Sequence, residues 1–542
     1  MRMTAGPVRG LIAFLLAAAP WLNPLSTGPS AAVTPWLVSA TCGILLWAVA
    51  ATGARIPHVP RTLLWSAGAL VAWAALSQGM VRPETVMLAA GLGLILLAAG
   101  FAGDPQIARS LQAGFLAAAA ASAAIGLCQY FGIAGLFSPW MNVAEAGEAY
   151  ANLRQPNQYA TLCWIGGAIV VFGTLRLPRW GAIALLVLLA AGSAASVSRT
   201  GMLQGLVLTA LAACWRGPQR RERLLLCAIA AVAYFAATVI LPLVLDAWTG
   251  AMPARTLWGR LGGGQPCSSR LVLWSNVLHL IALKPVAGWG WGELDFAHFD
   301  TLYAGARFCD ILDNAHNLPL HLAVELGLPV AVLVCGAALW WVWRQQAWRE
   351  PDGLRQLAWA LVAIILLHSL LEYPLWYGPF QIAFGASLGW LAGGQSLDDE
   401  GRTSRVPALA MAAGLLAATA YAGWDYLRVS QIYIGPEERR AQWRDDTLGQ
   451  VRRSWLFSGQ ANFADVTLAT PERANAEWMY AVSLRVLHYS PEPRVIERAI
   501  ESATYLGRED EAVLLLARYR AAFPRDYAAW RQAQKLPAVR GR

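Results

Sequence analysis

The sequence is poor in charge, in lysine and in histidine. Charged residues make up 14% of its 542 residues, seven residues are histidine, and Lys284 and Lys535 are the only lysines. It has no glycine-rich phosphate loop, no dinucleotide-binding fingerprint and no cysteine and histidine spacing typical of a zinc site. These absences argue against a nucleotide-dependent enzyme, a zinc protein and a large soluble domain.

Long apolar runs take the place of these features. Hydrophobic residues make up 57% of the chain and the mean hydropathy is +0.43, which predicts an all-α, polytopic membrane helix bundle. About thirteen runs are long enough, or nearly so, to cross a bilayer as helices. They lie near 8–24, 31–52, 63–80, 84–102, 108–134, 158–175, 180–197, 200–215, 224–246, 327–343, 356–372, 376–394 and 406–424.

The net charge of +9 is almost all arginine, and its distribution predicts an orientation rather than a nucleic-acid partner. Loops that face the cytoplasm collect arginine. With the N-terminus inside, the short outer loops hold only Arg82, Arg154 and Arg199. The inner loops hold Arg55, Arg61, Arg176, Arg179, Arg216, Arg220, Arg221, Arg223, Arg344, Arg349, Arg355, Arg402 and Arg405. We therefore expect the long polar loop 246–317 to lie in the periplasm.

A change in composition divides the chain into a membrane domain, 1–424, and a C-terminal periplasmic domain, 425–542. The second part is mixed in charge and has no spanning run. Its last seventy residues predict amphipathic helices at 474–489, 493–506, 509–523 and 526–535. Small residues at positions such as Ala499 and Ala512 give this part a resemblance to a tetratricopeptide-like helix pair.

A histidine precedes a helix at the end of the long loop. Leu318, Leu322 and Leu326 share one helical face, Asn317 is a suitable N-cap, and Gly327 ends the pattern. His316 would then lie beside a helix N-terminus, which favours an anion. We expect His316 to act as a base on a phosphate-activated substrate, with a capping role as the alternative. His321 lies beyond the first turn, so we expect it to matter less.

Four arginines on the predicted outer face suggest a polyanion, namely Arg154, Arg199, Arg270 and Arg307. An arginine within a span costs roughly 2.5–3.5 kcal/mol at mid-membrane, so such a residue usually has a function. Snorkelling to lipid headgroups is the alternative for each one taken alone. A lipid-linked diphosphate lies at the depth where these four arginines are expected.

A divalent metal is not expected. The acidic residues of the outer loop do not show a repeated ligand spacing, and we read them as solvated. They are Asp295, Asp300, Asp310 and Asp313.

Six short motifs resemble those of the O-antigen ligase and polymerase superfamily, and in particular its PglL-type protein O-oligosaccharyltransferases. They are Leu-Arg-Gln-Pro-Asn-Gln at 153–158, Ser-Arg-Thr-Gly at 198–201, Arg-Leu-Val-Leu-Trp at 270–274, Pro-Val-Ala-Gly-Trp-Gly at 285–290, Asn-Ala-His-Asn at 314–317 and Glu-Tyr-Pro-Leu-Trp-Tyr at 372–377. The first and last motifs, with the C-terminal helices, narrow the resemblance to the protein-glycosylating branch.

The resemblance implies en bloc transfer of an oligosaccharide from undecaprenyl diphosphate to a Ser or Thr hydroxyl of an exported protein such as a pilin. It implies an inner-membrane enzyme whose active site faces the periplasm and needs no cofactor. His316, Arg199 and Arg270 would be catalytic. The donor would contact Arg154, Gln155, Asn157, Arg307 and Asn317. The glycan or acceptor would contact Glu372, Tyr373 and Tyr377, where interfacial anchoring is the alternative.

Three other functions remain open. An O-antigen ligase or a polymerase would use the same chemistry on a lipid-linked acceptor. A glycan flippase would need paired ionisable residues within the spans, for which His368 is the main candidate. A structural scaffold would leave the outer arginines unexplained.

Two cysteines differ from the other six because they lie in the polar loop. Cys267 and Cys309 share the segment placed in the oxidising periplasm, so we expect them to form a disulfide. The bridge would connect the segment before Arg270 to the segment before His316.

Overall fold

The computed structural model describes residues 5–53, 56–250, 267–392 and 405–535. Arg55, Arg402 and the stretch 251–266 of the long polar loop lie outside these residues. Every long regular element in the described residues is a helix, which confirms the all-α prediction.

The helices run through both the predicted membrane part and the C-terminal part. They are α1 (Ala5–Leu22), α2 (Val33–Ala51), α3 (Arg61–Ser77), α4 (Pro83–Phe101), α5 (Pro105–Tyr130), α6 (Pro156–Phe172), α7 (Arg179–Ala195), α8 (Arg199–Cys214), α9 (Arg220–Thr249), α10 (Arg270–Leu283), α11 (Leu294–Asp300), α12 (Leu318–Leu326), α13 (Leu328–Arg344), α14 (Gly353–Ser369), α15 (Gly378–Ala392), α16 (Val406–Ser430), α17 (Ala441–Arg444), α18 (Thr447–Val451), α19 (Ser458–Leu468), α20 (Ala476–Leu487), α21 (Pro493–Tyr505), α22 (Glu509–Ala522) and α23 (Pro524–Lys535).

Six helical segments of the described chain are long and apolar enough to cross a membrane. They are α2, α4, α5, α9, Leu328–Arg349 and Val406–Tyr433. The prediction of a multi-pass helical membrane protein is thereby confirmed. The count of thirteen spans stays a prediction, because helices such as α6 have only 17 residues. Such a helix is about 26 Å long at 1.5 Å per residue, against a hydrocarbon core of roughly 30 Å.

The chain forms two compact units. The first lies within Met1–Ala69, Leu88–Gly263 and Ala338–Tyr421, and the second within Leu70–Met87, Gly264–Ala337 and Ala422–Arg542. The second unit therefore combines most of the predicted periplasmic loop with the C-terminal domain, whereas the start of that loop, 246–249, belongs to α9 and to the first unit.

Close approach of small residues organises the first unit. Gly385 and Gly389 of α15 lie against α4, where an added Cβ would overlap the carbonyl oxygens of Ile95 and Ala99. Glycines in this spacing let two helix backbones pack directly, which is how helices associate where apolar burial supplies no driving force. A partly buried ion pair at 2.7 Å joins Arg9 of α1 to Asp104, the N-cap of α5.

The core of the second unit contains residues from both of its main parts. Phe299 of α11 is 2% exposed and belongs to the same apolar core as Val486, Ile496 and Tyr519 of the C-terminal helices. Arg518 pairs with Asp300 at 2.7 Å beside this contact. The part of the predicted periplasmic loop that forms α11 thus packs against the C-terminal helices.

The four C-terminal helices were predicted correctly within a few residues. The observed elements are α20, α21, α22 and α23, against predicted segments 474–489, 493–506, 509–523 and 526–535. Their apolar positions recur at helical spacing, so the pattern was sufficient to place them.

Candidate functional site

Three of the sequence motifs meet in the first unit at the side chain of Asn157. Its Oδ1 accepts a hydrogen bond from the Ser198 hydroxyl at 2.6 Å, and its Nδ2 donates to Glu372 Oε1 at 3.3 Å. Asn157 lies in the first turn of α6, Ser198 caps α8, and Glu372 follows α14. We call these three residues the Asn157 cluster.

The helix ends in this cluster follow from local sequence. The Gln155 side chain caps α6 by accepting from the Gln158 backbone N–H at 2.7 Å, and Pro156 occupies the first turn. Ser198 is fully buried and caps α8 by accepting from the Gly201 N–H. Arg199 is therefore the first residue of α8 and is exposed. The positive end of the helix dipole and an exposed guanidinium both favour an anion.

Arg154 has a different environment. Its backbone is left-handed, with φ 61°, and its guanidinium donates to the Pro24 carbonyl and to Asn142 Oδ1. Burial lowers the pKa of Arg154. These contacts hold the segment between α5 and α6, and its predicted role toward the donor stays a prediction.

The motif at 372–377 forms an aromatic surface. The rings of Tyr373 and Tyr377 are stacked with centroids 5.9 Å apart, and Trp376 is edge-on to Tyr373. Stacked rings of this kind present a flat apolar face, which suits either a sugar ring or a membrane interface.

In the second unit, His316 lies where the sequence predicts it. Asn317 caps α12 by accepting from the Leu320 N–H at 3.1 Å, and α12 begins at Leu318 and ends before Gly327. His316 is half-buried and left-handed, with φ 49°, and its N–H donates to Asn314 Oδ1 at 2.9 Å. The helix, its cap and its end are confirmed.

The motif at 285–290 supports the far end of α12. The Trp289 N–H donates to the Val324 carbonyl at 2.9 Å, and the Gly290 N–H donates to the Glu325 carbonyl at 2.9 Å. Gly288 has φ 72°, and a Cβ there would overlap the Glu325 carbonyl oxygen. This close approach explains why glycine is required in the motif.

Arg270 begins α10 in the same way that Arg199 begins α8. The Ser269 hydroxyl caps α10 by accepting from the Val272 N–H, and Arg270 is half-buried. Cys267, just before the cap, forms a disulfide with Cys309, and the two Cα atoms are 5.4 Å apart. Asn276 of α10 binds both the Ala306 carbonyl and the Phe308 N–H. Helix α10 is therefore tied to the segment that leads to Cys309 by a covalent contact before its start and by a polar contact at Asn276.

The contacts of Arg307 are structural. Its two terminal nitrogens donate to the carbonyls of Thr301 and His298 at 2.9 and 2.8 Å, at the end of α11. Burial lowers the pKa of Arg307. A helix C-terminus leaves carbonyls without partners, and Arg307 satisfies two of them. The predicted role in donor binding stays a prediction, and these contacts do not favour it.

The acidic residues of this segment are dispersed. Among the described residues, no group of three or more side chains is arranged to hold a metal ion. Asp300 pairs with Arg518, and burial raises the pKa of Asp295 well above its usual range, with Glu325 and Asp313 adding to the effect. Metal independence stays a prediction.

Three residues near His316 were not singled out by the sequence analysis as site residues. Trp274 and Glu325 had no predicted role, and His321 was expected to matter less than His316. Trp274 Nε1 donates to the Ala315 carbonyl at 3.1 Å, and His321 Nε2 lies 3.3 Å from Glu325 Oε2. His321 and Glu325 have i, i+4 spacing on α12, which is the only sequence signal for the pair.

Comparison with known proteins gives two family matches on separate parts of the chain. Residues 184–335 match the family described as O-antigen ligase, and residues 356–537 match that described as virulence factor membrane-bound polymerase, C-terminal. No solved structure matches the chain.

Two curated relatives come from Acinetobacter baylyi (strain ATCC 33305 / BD413 / ADP1). A general O-oligosaccharyltransferase is 26% identical over 250 residues, which are 44% of this chain and 43% of the relative. A ComP-specific O-oligosaccharyltransferase is 23% identical over 250 residues, 45% of this chain and 44% of the relative. The chain thus matches less than half the length of either relative.

The helical membrane fold defines the class as a multi-pass membrane protein, and residues 184–335 of the chain are similar to the O-antigen ligase family. The chain is also distantly similar to the Acinetobacter O-oligosaccharyltransferases, which are the PglL type that its motifs resemble.

Proposed function

We propose that the protein transfers an oligosaccharide en bloc from undecaprenyl diphosphate to a Ser or Thr hydroxyl of an exported protein such as a pilin. The observation that carries this proposal is the placement of His316 immediately before the capped N-terminus of α12. The names of the two curated relatives support the reaction, and the six motifs support the donor.

The proposed reaction is a single displacement. The acceptor hydroxyl attacks the anomeric carbon, and His316 takes the hydroxyl proton as a general base. A glycosidic bond forms as the bond from the anomeric carbon to the phosphate oxygen breaks, and undecaprenyl diphosphate leaves with the electron pair. The anomeric configuration is inverted.

The leaving diphosphate carries the charge that must be stabilised. Arg270 is proposed for this role because it begins α10, where the helix dipole and a guanidinium act on the same anion. Arg199 is proposed for the same role because it is exposed at the start of α8. A diphosphate is already a good leaving group, so fixed guanidinium groups replace a metal in this account.

Further contacts are proposed for the remaining predicted residues. Gln155, Asn157 and Asn317 would hold the donor indirectly, since each caps a helix or joins two helix ends. A sugar ring would pack against the aromatic surface that Tyr373 and Tyr377 form. We place the reaction on the periplasmic side of the inner membrane, from the arginine distribution.

An O-antigen ligase or a polymerase is the second candidate, and the family matches favour it as a class. Both would use the same donor chemistry with a lipid-linked acceptor. The two candidates differ only in the acceptor, so the acceptor is what an experiment must determine.

A cell-based competition decides between them. The protein would be expressed in a bacterium that lacks its own ligase, makes one defined undecaprenyl-linked oligosaccharide and carries both a pilin and a lipid A core. We expect intact mass spectrometry to find the whole oligosaccharide on the pilin. Glycan found on lipid A core alone, or as longer lipid-linked chains, would establish the second candidate instead.

A further inference from the structure

Ala315, the residue before His316, is hydrogen-bonded through both its carbonyl oxygen and its N–H. Ala315 is fully buried, and its carbonyl oxygen accepts a hydrogen bond from Trp274 Nε1 at 3.1 Å. Its N–H donates to His321 Nδ1 at 3.5 Å, which is a long contact. Trp274 belongs to α10 and His321 to α12, so Ala315 is fixed between two helices.

His321 is itself held by a buried acid. Its Nε2 lies 3.3 Å from Glu325 Oε2, and the two side chains are 3% and 1% exposed. The same Glu325 oxygen accepts the Gly292 N–H at 3.0 Å. Since Nδ1 accepts the Ala315 N–H, the ring proton is assigned to Nε2, where it points toward the carboxylate. The Trp291 ring packs edge-on against the His321 ring, and the two ring centroids are 5.5 Å apart.

These contacts stabilise an unfavourable backbone conformation at His316. His316 has φ 49°, a left-handed value that is unfavourable for a residue with a side chain. Conformations of this kind cost about 1–3 kcal/mol and persist only where the surroundings over-determine them. Asn314 Oδ1 fixes the His316 N–H on one side, and the contacts of Ala315 fix the preceding peptide.

We propose that His321, with Glu325 and Trp274, positions the His316 ring for proton transfer. His321 is then a positioning residue and not a capping or packing one, which reverses the expectation that it matters less. The inference rests on the proposed role of His316 as the base. A displacement of about 1 Å in a reacting group can lower a rate on the order of 10²-fold. The loss of one of these positioning contacts should therefore lower kcat more than it changes KM.

The primary test compares His321→Leu with His298→Leu. Both histidines are buried in the second unit and both make polar contacts, but those of His298 go to the Tyr303 hydroxyl and the Phe308 carbonyl. The assay is transfer in proteoliposomes with a defined undecaprenyl-diphosphate oligosaccharide and a pilin. We expect His321→Leu to lower kcat about 10- to 100-fold with KM for the donor within about twofold. His298→Leu should lose thermal stability to a similar degree and keep its kcat.

Conservative variants separate positioning from general destabilisation. Asn at 321 can accept the Ala315 N–H in place of Nδ1, so His321→Asn should recover much of the rate that His321→Leu loses. Both contacts of Glu325 fall on one oxygen, so Glu325→Gln should stay active while Glu325→Leu follows His321→Leu. Trp274→Phe, which removes only the donor to the Ala315 carbonyl, should give a partial loss.

A second measurement does not depend on transfer. Diethyl pyrocarbonate modifies histidine, and peptide mass spectrometry gives its rate at His316 alone. We expect that rate to differ from wild type in His321→Leu and to be unchanged in His298→Leu.

The possible results are distinct. If His316→Ala loses activity but His321→Leu keeps wild-type kcat and wild-type His316 reactivity, the positioning inference is wrong and the proposed function stands. An equal loss of kcat in His298→Leu would also overturn the inference, because the effect would then be general. If His316→Ala itself transfers normally, the proposed mechanism fails first.

Discussion

The two units hold their predicted site residues in different ways. In the first unit, side chains from three motifs contact one another directly, through Asn157, Ser198 and Glu372. In the second unit, His316 is held through its backbone by Trp274 and His321, which contact its neighbour Ala315. Rigid helix ends can bring motif side chains together directly, whereas a residue on a short connecting segment needs other groups to fix its peptide.

Removal of the proposed base should have the largest effect. General base catalysis contributes about 10²–10⁴-fold to a rate, so His316→Ala should abolish measurable transfer while the protein still inserts and binds donor lipid. Intact-mass analysis of the acceptor and native mass spectrometry of bound donor measure the two properties separately. Wild-type turnover would remove His316 from the mechanism.

The arginines at the starts of α8 and α10 test whether the two units contribute similar chemistry. Arg199→Lys and Arg270→Lys keep the charge but lose the two-pronged guanidinium contact, and each should lower kcat roughly tenfold or more. The exposed Arg176→Lys is the matched control and should behave as wild type. If all three variants are equally active, simple charge attraction is sufficient and the proposed diphosphate contacts are wrong.

Substitution in the Asn157 cluster should reduce activity less than His316→Ala does, because the members of the cluster contact one another. Asn157→Leu leaves the Ser198 hydroxyl and Glu372 without their shared partner, at a cost of about 1–3 kcal/mol for an unsatisfied buried group. We expect a fall in kcat/KM together with lower thermal stability. The control is Gln112→Leu, which breaks the hydrogen bond of the buried Gln112 side chain to Thr174 and should lower stability alone. Equal activity of the two variants would show that the cluster is only structural.

The disulfide should affect stability more than chemistry. Cys267 and Cys309 are separated by 42 positions. Closing a loop of this size stabilises a fold by an upper estimate of about 4 kcal/mol. Cys267→Ser with Cys309→Ser should therefore lower the unfolding temperature and lower kcat less than His316→Ala does. Non-reducing peptide mapping checks the bridge itself, and two fully alkylated thiols would refute it.

The smallest expected effect comes from a buried acid in the second unit. Burial raises the pKa of Asp295 well above its usual range. A raised pKa means that the folded state binds the proton more tightly than the unfolded state does. Its contribution to stability is therefore present at low pH and is lost as the pH rises from the unfolded pKa through the folded pKa. Asp295→Asn should unfold at a higher temperature near pH 7, and the difference should shrink toward pH 4. A difference that is constant with pH would contradict this account.

Local features of the site were predictable from the sequence. The start of α12 follows from Asn317 and the spacing of its leucines, and the C-terminal helices follow from their apolar periodicity. Each of these signals lies within a few residues of the element it specifies.

Apart from the Cys267–Cys309 disulfide, the features of the site that depend on distant contacts were not predictable. The hydrogen bond from Trp274 to Ala315 joins residues 41 positions apart, and Phe299 enters a core formed by residues beyond 460. Arg307 illustrates the same limit, because an arginine in a polar loop resembles an anion ligand until its two carbonyl partners are known. No local pattern indicates the left-handed backbone at His316 either.

Reconstitution with purified components tests the central proposal most directly. Wild-type protein in proteoliposomes would receive an undecaprenyl-diphosphate oligosaccharide and a pilin in excess EDTA, followed by intact-mass measurement of the pilin. We expect a mass gain equal to one whole oligosaccharide, with release of an equal amount of undecaprenyl diphosphate. An unmodified pilin, or a gain that appears only when a divalent metal is restored, would contradict the proposed metal-independent transfer.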